Sequence, residues 1–259
     1  MNRIPPLYTE TAECQDCYKC LRRCSVKAIK IHEGHATIMP ELCVGCGNCV
    51  RTCPVGAKRI RDDIERARLL LKMKKRVIVS LAPSYVAEFR GVAKERLIRG
   101  LKTLGFYGVS ETALGAEEVS ASVAAMLGDR DGGVFLSSAC PTAVELIKKY
   151  HPVHAANITE LYSPVLAHAS MLRREYGEDI GIVFVGPCVS KKMEADSHPD
   201  LLDVAITFEE LRRWLESEDI DLTTVPFGPN DRFIPEGARE GALYPVDGGM
   251  IAESRRTAA

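Results

Sequence analysis

Short hydrophobic runs alternate with amphipathic stretches along the last two thirds of the chain. Three of the runs are apolar and of strand length: RVIVSLAP (76–83), GVFLSS (133–138) and GIVFVGP (181–187). Continuous apolar runs of this length are typical of strands that are buried on both faces. We therefore predict three buried strands, each of which ends at or close to a proline.

The stretches between these runs repeat their hydrophobic positions with a helical period. Residues 94–105 place Leu and Ile on one face and end in a glycine, and residues 142–150 form a second such stretch. The capping-box pair Thr207 and Glu210 opens a third helix, over 208–217. Strands that alternate with helices predict an α/β domain with a mainly parallel sheet.

The first sixty residues have a different pattern. They are dense in Cys, Gly and Pro and lack long periodic runs, so they cannot build a conventional hydrophobic core. A helix over 62–75 follows, with an apolar stripe that includes Ile64, Ala67 and Leu71. The predicted organisation is a module over 1–60, a linker helix over 61–75 and the α/β domain over 76–259.

Composition and charge narrow the possible functions. With 259 residues and 46% hydrophobic residues, the chain can bury a sizeable core. A net charge of -1 gives no electrostatic reason to expect nucleic acid or an acidic membrane as a partner. No apolar run reaches the roughly 18 residues that a membrane span needs, and the N-terminus lacks the apolar segment of a secretory signal. We expect a cytoplasmic protein.

The ten cysteines are the strongest chemical signal in the sequence. Eight of them lie in two runs with the spacing C-x2-C-x2-C-x3-C, and the second run is followed by Pro54. Clustered cysteines in a chain without an export signal indicate metal ligands rather than disulfides. The first run is Cys14, Cys17, Cys20 and Cys24, and the second run is Cys43, Cys46, Cys49 and Cys53.

This spacing is typical of bacterial ferredoxins with two 4Fe–4S clusters, in which the fourth cysteine of each run binds the other cluster. We therefore predict that Cys53 joins the first three cysteines of the first run, and that Cys24 joins those of the second run. A pair of zinc sites is the alternative, but zinc needs only four ligands and has no use for the crossover cysteine. Ser25 stands where the second run has proline, which leaves the ligands intact. The module is predicted to be an α+β ferredoxin-like relay.

Two further cysteines lie where the predicted strands end. Cys140 stands beside Pro141, and Cys188 follows Pro187. Parallel α/β sheets bind their ligands just beyond the carboxyl ends of the strands, which suggests a shared site. The alternative is that both are ordinary buried thiols.

These two segments resemble the first two cluster-binding motifs of the iron-only (FeFe) hydrogenases. The family's T-S-C-C-P corresponds to SSACP (137–141), and its P-C-x-x-K-x-x-E corresponds to PCVSKKME (187–194). A two-cluster ferredoxin module ahead of such a domain is also the family's layout, and 241–259 resembles the Gly-Gly helix before its third motif. The resemblance covers essentially the whole chain.

The resemblance implies specific roles for the residues of the second domain. Cys140 and Cys188 would bind the 4Fe–4S part of the catalytic H-cluster. Lys191 would form a charge-assisted hydrogen bond to a cyanide ligand of its two-iron part. Pro187 would shape the pocket wall, and Glu194 would support the site. A solvated basic pair is the alternative for Lys191 and its neighbour Lys192.

Three departures from the family pattern change the expected activity. Ala139 stands where the family has a proton-relaying thiol, so the acid–base step loses its donor. Gly186 replaces the usual methionine before the second motif. Both changes resemble sensory members, which implies a possible C-terminal sensory or regulatory domain or a signalling partner. No cysteine follows Cys188, whereas the third motif, E-x-x-x-C-x-G-G-C, supplies two more.

We therefore expect the hydrogenase-like domain to be incomplete and the 259-residue chain to be inactive by itself. An H-cluster is expected only if further cysteines exist C-terminally. The predicted function is electron transfer with a ferredoxin or similar redox partner, in a hydrogen-sensing or slow hydrogenase. Two alternatives are a non-catalytic electron carrier whose second domain is a docking scaffold, and a structural iron–sulfur protein. The intact double relay argues against the last of these.

Overall fold

The computed structural model describes residues 4–128, 133–235, 237–238, 241–244 and 246. The N-terminal module contains two short helices and four short strands. The strands are β1 (Leu7–Thr9), β2 (Ile29–His32), β3 (His35–Ile38) and β4 (Lys58–Ile60), and the helices are α1 (Lys19–Arg23) and α2 (Asn48–Thr52). β1 pairs with β4 and β2 with β3, both antiparallel, so that the two ends of the module lie side by side.

Each module helix begins inside a cysteine run and ends directly before the fourth cysteine, Cys24 or Cys53. The residues that precede the helices, Tyr18 and Gly47, have a left-handed backbone with φ of 53° and 75°. Glycine adopts this conformation freely, whereas tyrosine rarely does. In the first run this reversal lets cysteines on both sides of Tyr18 face one common space.

The second domain is built around a four-stranded parallel sheet in the order β6-β5-β7-β8. Its strands are β5 (Val77–Leu81), β6 (Gly108–Glu111), β7 (Gly181–Gly186) and β8 (Val204–Thr207). Every residue of these strands is buried, because helices cover both faces of the sheet.

Eight helices accompany the sheet in the described residues. They are α3 (Ile64–Met73), α4 (Tyr85–Glu88), α5 (Lys94–Thr103), α6 (Ala113–Gly128), α7 (Pro141–Tyr150), α8 (Pro164–Tyr176), α9 (Ser190–Ser197) and α10 (Phe208–Ser217). Short 3₁₀ turns lie at Thr11–Glu13, Pro152–Asn157 and Gly241–Leu243. Ile78, Leu101 and Trp214 lie in the hydrophobic core that the sheet and helices enclose.

Helix α3 joins the two parts of the chain but packs with the second domain. Its Ala67 and Leu70 are buried in the core of the sheet. Asp63, the residue before the helix, accepts a hydrogen bond from Lys192 of α9 at 2.8 Å. The segment predicted as a linker is therefore anchored by burial and by charge to the α/β domain.

Most of the elements predicted from the hydrophobic pattern are present. Strands β5 and β7 and helices α5, α7 and α10 lie within one to two residues of the predicted positions. The predicted capping box is complete: the Glu210 N–H donates to Thr207 Oγ1, and the Thr207 N–H donates to the Glu210 carboxylate.

The prediction of a strand over 133–138 is wrong. In this segment only Leu136 forms a bridge, to Ile158, and the flanking residues are half-buried or exposed. An apolar run becomes a strand only where a neighbouring strand offers its edge, and this run lies outside the four-stranded sheet. The helix predicted towards the C-terminus falls largely outside the described residues. No helix in the described residues is long and apolar enough to cross a membrane.

Candidate metal centres

The three leading cysteines of the first run share a small enclosed cavity with Cys53. Tyr18, Ala36 and Lys58 also line this cavity. Cys20 is buried and Cys17 is exposed, so one side of the cavity faces solvent. The structure thus brings the last cysteine of the second run to the first run, as the crossover assignment requires.

Cys24 lies with the second run. It lies close enough to Cys43 for a charge on one sulfur to oppose the ionisation of the other, and Cys46 and Cys49 belong to the same group. Burial raises the pKa of Cys43, and it raises the pKa of Cys49 to about 12. Thiols with raised pKa values stay protonated at neutral pH unless a metal displaces the proton.

Backbone N–H groups are directed at several of these sulfurs. The Ala28 N–H donates to Cys24 Sγ at 3.3 Å, and the Gly45 N–H donates to Cys43 Sγ at 3.4 Å. Burial opposes the ionisation of Cys53, but N–H groups of residues 55–58 outweigh it and lower the pKa of Cys53. Two groups of four sulfurs with such donors fit the charge and ligand number of 4Fe–4S cubes.

Cys140 lies directly before helix α7, and Cys188 lies two residues before helix α9. Cys140 is the N-cap residue of α7, and it is exposed. Cys188 follows β7 at the carboxyl end of the sheet, and its Sγ lies 3.0 Å from Ser190 Oγ. Pro187 is exposed beside it. In the described residues no hydrogen bond joins the two sulfurs.

Lys191 connects the two motifs. Its Nζ lies 2.6 Å from Glu194 Oε2 and 3.2 Å from Ser163 Oγ, and it reaches the carbonyl of Ala139 at 3.5 Å. The lysine side chain is 11% exposed and that of Glu194 is 9% exposed, so the ion pair is largely shielded from water. The alternative of a solvated basic pair does not hold, because Lys192 is also buried, at 1% exposure.

A cavity of about 490 Å³ opens beside this ion pair. Residues on both sides of Cys140 in the chain line it, together with Glu194 and Met193 of α9. Neither Cys140 nor Cys188 is among the lining residues. Two sulfurs supply half of the ligands that one 4Fe–4S cube needs.

The second cysteine run lies directly against the second domain. Tyr150, the last residue of α7, donates from its hydroxyl to the Leu42 carbonyl at 2.8 Å, and Lys149 Nζ donates to the Cys43 carbonyl at 2.8 Å. A Cβ added to Gly45 would lie 2.3 Å from Met193 Sδ, so α9 packs on this loop as well. The helices that follow Cys140 and Cys188 both contact the second run.

The burial of two lysines was not predicted from the sequence. Lys192 forms ion pairs at 2.8 Å with both Asp63 and Glu210. Lys58 is 2% exposed and lies in the wall of the first-run cavity. The only sequence signal for Lys58 is its alternation with exposed Arg59 on a short strand that follows the last cysteine.

Comparison with known proteins gives a family for this fold. The family described as iron-only hydrogenase large subunit, C-terminal domain, matches residues 75–259, and the 4Fe–4S binding domain family matches residues 36–59. The fold and cysteine sites define an iron–sulfur protein with an α/β hydrogenase-like domain. Because the first match covers more than half of the chain, the protein belongs to the iron-only hydrogenase large-subunit family.

Curated relatives and solved structures give the same family. The NADP-reducing hydrogenase subunit HndD of Solidesulfovibrio fructosivorans is 30% identical over 84% of this chain and 43% of its own length. Iron hydrogenase 1 of Clostridium pasteurianum is 26% identical over 79% of this chain and 40% of its own length. An apo FeFe-hydrogenase structure from Chlamydomonas reinhardtii superposes with a TM-score of 0.63 at 26% identity, over 76% of this chain and 58% of that one. The chain thus spans about two fifths of the length of these curated relatives.

Proposed function

We propose that this chain carries the electron relay and half of the cluster-binding site of a hydrogen-sensing or slow iron-only hydrogenase. Two 4Fe–4S clusters occupy the module, one on Cys14, Cys17, Cys20 and Cys53, the other on Cys43, Cys46, Cys49 and Cys24. The observation that carries this proposal is the arrangement of the eight sulfurs into two groups that exchange their fourth cysteine.

The relay has a direction in this proposal. The second-run cluster is the inner one, because α7 and α9 both contact its loop through Tyr150, Lys149 and Met193. The first-run cluster is then the outer one. Cys17 of the first run and Cys46 of the second run are both exposed, so the contacts of α7 and α9 carry this order. Electrons would pass between a ferredoxin or similar redox partner and the second domain through the outer and then the inner cluster.

Cys140 and Cys188 would hold one side of an H-cluster, whose bound two-iron part supplies the hydrogen chemistry. The chain provides two of the four sulfurs of its cube, so the other two would come from residues beyond this sequence. Lys191 would orient a ligand of the cluster, with its ammonium group held by Glu194 and Ser163. Pro187 would restrict access at the strand end.

The alanine at position 139 supports a sensor or a slow enzyme. A methyl group exchanges no protons, and a positioned acid–base group typically contributes about 100- to 10,000-fold to a rate. The residues in the described part of this site therefore favour binding and orientation over rapid proton transfer.

One observation favours the alternative of a non-catalytic electron carrier. Lys191 is already satisfied by Glu194, Ser163 and the Ala139 carbonyl. A lysine with three such partners can serve to tie α9 to the segment before α7. In this alternative the second domain is a docking scaffold for the module.

Iron and sulfide analysis of the anaerobically reconstituted chain tests the relay. We expect about eight irons per chain, as two cubes of four. A variant with both Cys140 and Cys188 changed to serine should keep this iron content, since the module holds its own ligands. Stoichiometric zinc in place of iron would contradict the proposal.

Hydrogen–deuterium exchange separates the two candidate functions. The 259-residue chain should show no appreciable exchange, even with the two-iron cofactor supplied, because it lacks two ligands. A chain extended by a downstream C-x-G-G-C segment should exchange slowly, and changing Lys191 to Met should abolish the exchange while the module's iron content stays constant. An extended chain with no exchange would favour the electron carrier.

A further inference from the structure

Lys58 occupies a buried strand position, where an apolar residue is the usual choice. It is the first residue of strand β4, follows the last cluster cysteine closely, and is 2% exposed. Its neighbour Arg59 points the other way, is exposed, and pairs with Glu13. Alternation along the strand therefore directs one cation outward to a carboxylate and the other into the module.

The buried ammonium group has only neutral partners. Lys58 Nζ donates to Thr9 Oγ1 at 2.6 Å and to the carbonyl of Ala36. Across the described ranges no carboxylate forms an ion pair with it. A charged group that is removed from water without a counter-ion is costly, so this arrangement needs a nearby negative charge.

The four sulfurs of the first-run cavity are the negative charges that are available. Lys58 lines this cavity with them. Ala36, whose carbonyl accepts from Lys58 Nζ, lines the same cavity, so the ammonium group is held at the cavity wall. A 4Fe–4S cube on four thiolates carries net negative charge, and reduction makes it more negative.

The second run has a different cation beside it. Lys149 Nζ donates to the carbonyl of Cys43, but it also forms an ion pair with Glu145 at 2.9 Å. Its side chain is 24% exposed, so water screens the remaining charge. The first-run cluster is thus the one with an unpaired and desolvated cation at its wall.

We propose that Lys58 is the resident counter-cation of the first-run cluster and raises its reduction potential above that of the second-run cluster. This inference rests on the proposed two-cluster relay. A fixed positive charge in a low-dielectric wall stabilises the reduced cluster more than the oxidised one. The outer cluster then holds the electron at rest, and transfer to the inner cluster is the uphill step.

A redox titration of the reconstituted full chain, followed by electron paramagnetic resonance, tests the inference. Changing Lys58 to Met should lower the reduction potential of the first-run cluster. We expect at least a tenfold change in the equilibrium constant of its one-electron reduction, which corresponds to about 59 mV. The backbone N–H of residue 58, which supports Cys53, is retained in this variant. Lys58→Arg should restore most of the potential.

Arg59→Met is the matched control on the same strand. It removes an exposed charge that pairs with Glu13, so we expect less than about a threefold change in the equilibrium of either cluster. The effect of Lys58 should also persist when the salt concentration is raised, because its charge is buried. If Lys58→Met does not retain the first-run cluster, Lys58→Gln keeps a hydrogen-bond donor and removes only the charge.

The outcomes distinguish the inference from the proposed function. If the unaltered chain, Lys58→Met and Lys58→Gln all assemble both clusters and show the same potentials, the role of Lys58 alone is overturned. A shift that disappears at high salt would also overturn it. A chain that assembles no iron–sulfur cluster would instead overturn the relay itself.

Discussion

The N-terminal module and the second domain are stabilised in different ways. The hydrophobic core of the module consists of Leu7, Cys20, Ile29, Ala36 and Ile38, and one of these is a cluster ligand in the proposed relay. The second domain buries more than thirty residues around its parallel sheet. Because burial of apolar area is the main driving force of folding, we expect the second domain to fold by itself and the module to depend on its metal.

Buried lysines have different partners in the two parts. In the second domain Lys192 is enclosed by two carboxylates, those of Asp63 and Glu210. In the module Lys58 has only neutral partners in the described residues. The protein part of the module is thus incomplete in both packing and charge, and the proposed clusters would supply both.

Removal of iron should produce the largest difference in stability between the module and the second domain. Without metal the module should lose its protection against proteolysis and amide exchange, because its small core cannot offset the conformational entropy of about 1–2 kcal/mol per residue. Trp214, the single tryptophan of the chain, is buried in the second domain against Phe106. Its fluorescence should therefore stay native in the iron-free protein. A module that remains protected without iron would contradict the comparison.

Substitution of either fourth cysteine should remove one cluster and leave the other in place. Cys53→Ser should remove the cluster of the first run, although residue 53 belongs to the second run, because Cys53 lies at the first-run cavity. Cys24→Ser should remove the other cluster. Iron content and paramagnetic resonance would each show the loss of one cube of two. Loss of the second-run cluster in Cys53→Ser would reverse the assignment.

Breaking the buried charge cluster should destabilise the second domain strongly. Lys192→Met removes the cation that pairs with the buried Glu210, while Asp63 keeps its ion pairs with Arg61 and Arg66. Leaving one buried carboxylate without its cation should cost about 3 kcal/mol of the free energy of unfolding. The matched control is Arg213→Met, which removes the exposed ion pair with Asp62 and should cost less than about 1 kcal/mol. Urea unfolding followed by Trp214 fluorescence measures both. Equal effects of the two substitutions would mean that burial does not decide the strength of these pairs.

The second domain should also lose stability in mild acid. His168 is fully buried between Ser80 and Ser110, each at 2.8 Å, and burial lowers its pKa to about 3. The unfolded chain binds a proton at this histidine below a pH of about 6.5 and the folded chain does not, so stability falls as the pH drops from about 6.5 towards 3. The loss should reach about 2 kcal/mol at a pH of about 5.

Urea unfolding between about pH 7 and pH 5 tests the role of His168. His154→Ala, at an exposed histidine, should keep the same dependence on pH, whereas His168→Asn should flatten it. A wild-type free energy of unfolding that is constant over this range would contradict the neutral buried state of His168.

Local patterns in the sequence determined much of the architecture. The spacing of the cysteines predicted the ferredoxin-like module, because ligand geometry around a metal requires residues at short fixed intervals. Continuous apolar runs predicted β5 and β7, and the Thr207–Glu210 pair predicted the start of α10. Each of these signals depends on residues that are close together in the chain.

Only the tertiary structure decided features that depend on distant partners. Residues 133–138 have the composition of a strand, but in the described part of the chain no strand of the parallel sheet pairs with them, and they form a single bridge. Lys192 is buried because Asp63, 129 residues away, supplies its counter-charge. The carbonyl of Ala36 and the hydroxyl of Thr9 hold Lys58 in the cavity wall, although both are distant in sequence. The free energy of burying a charge depends on the groups that surround it in the folded protein. These groups come from distant parts of the chain, so the local sequence does not reveal them.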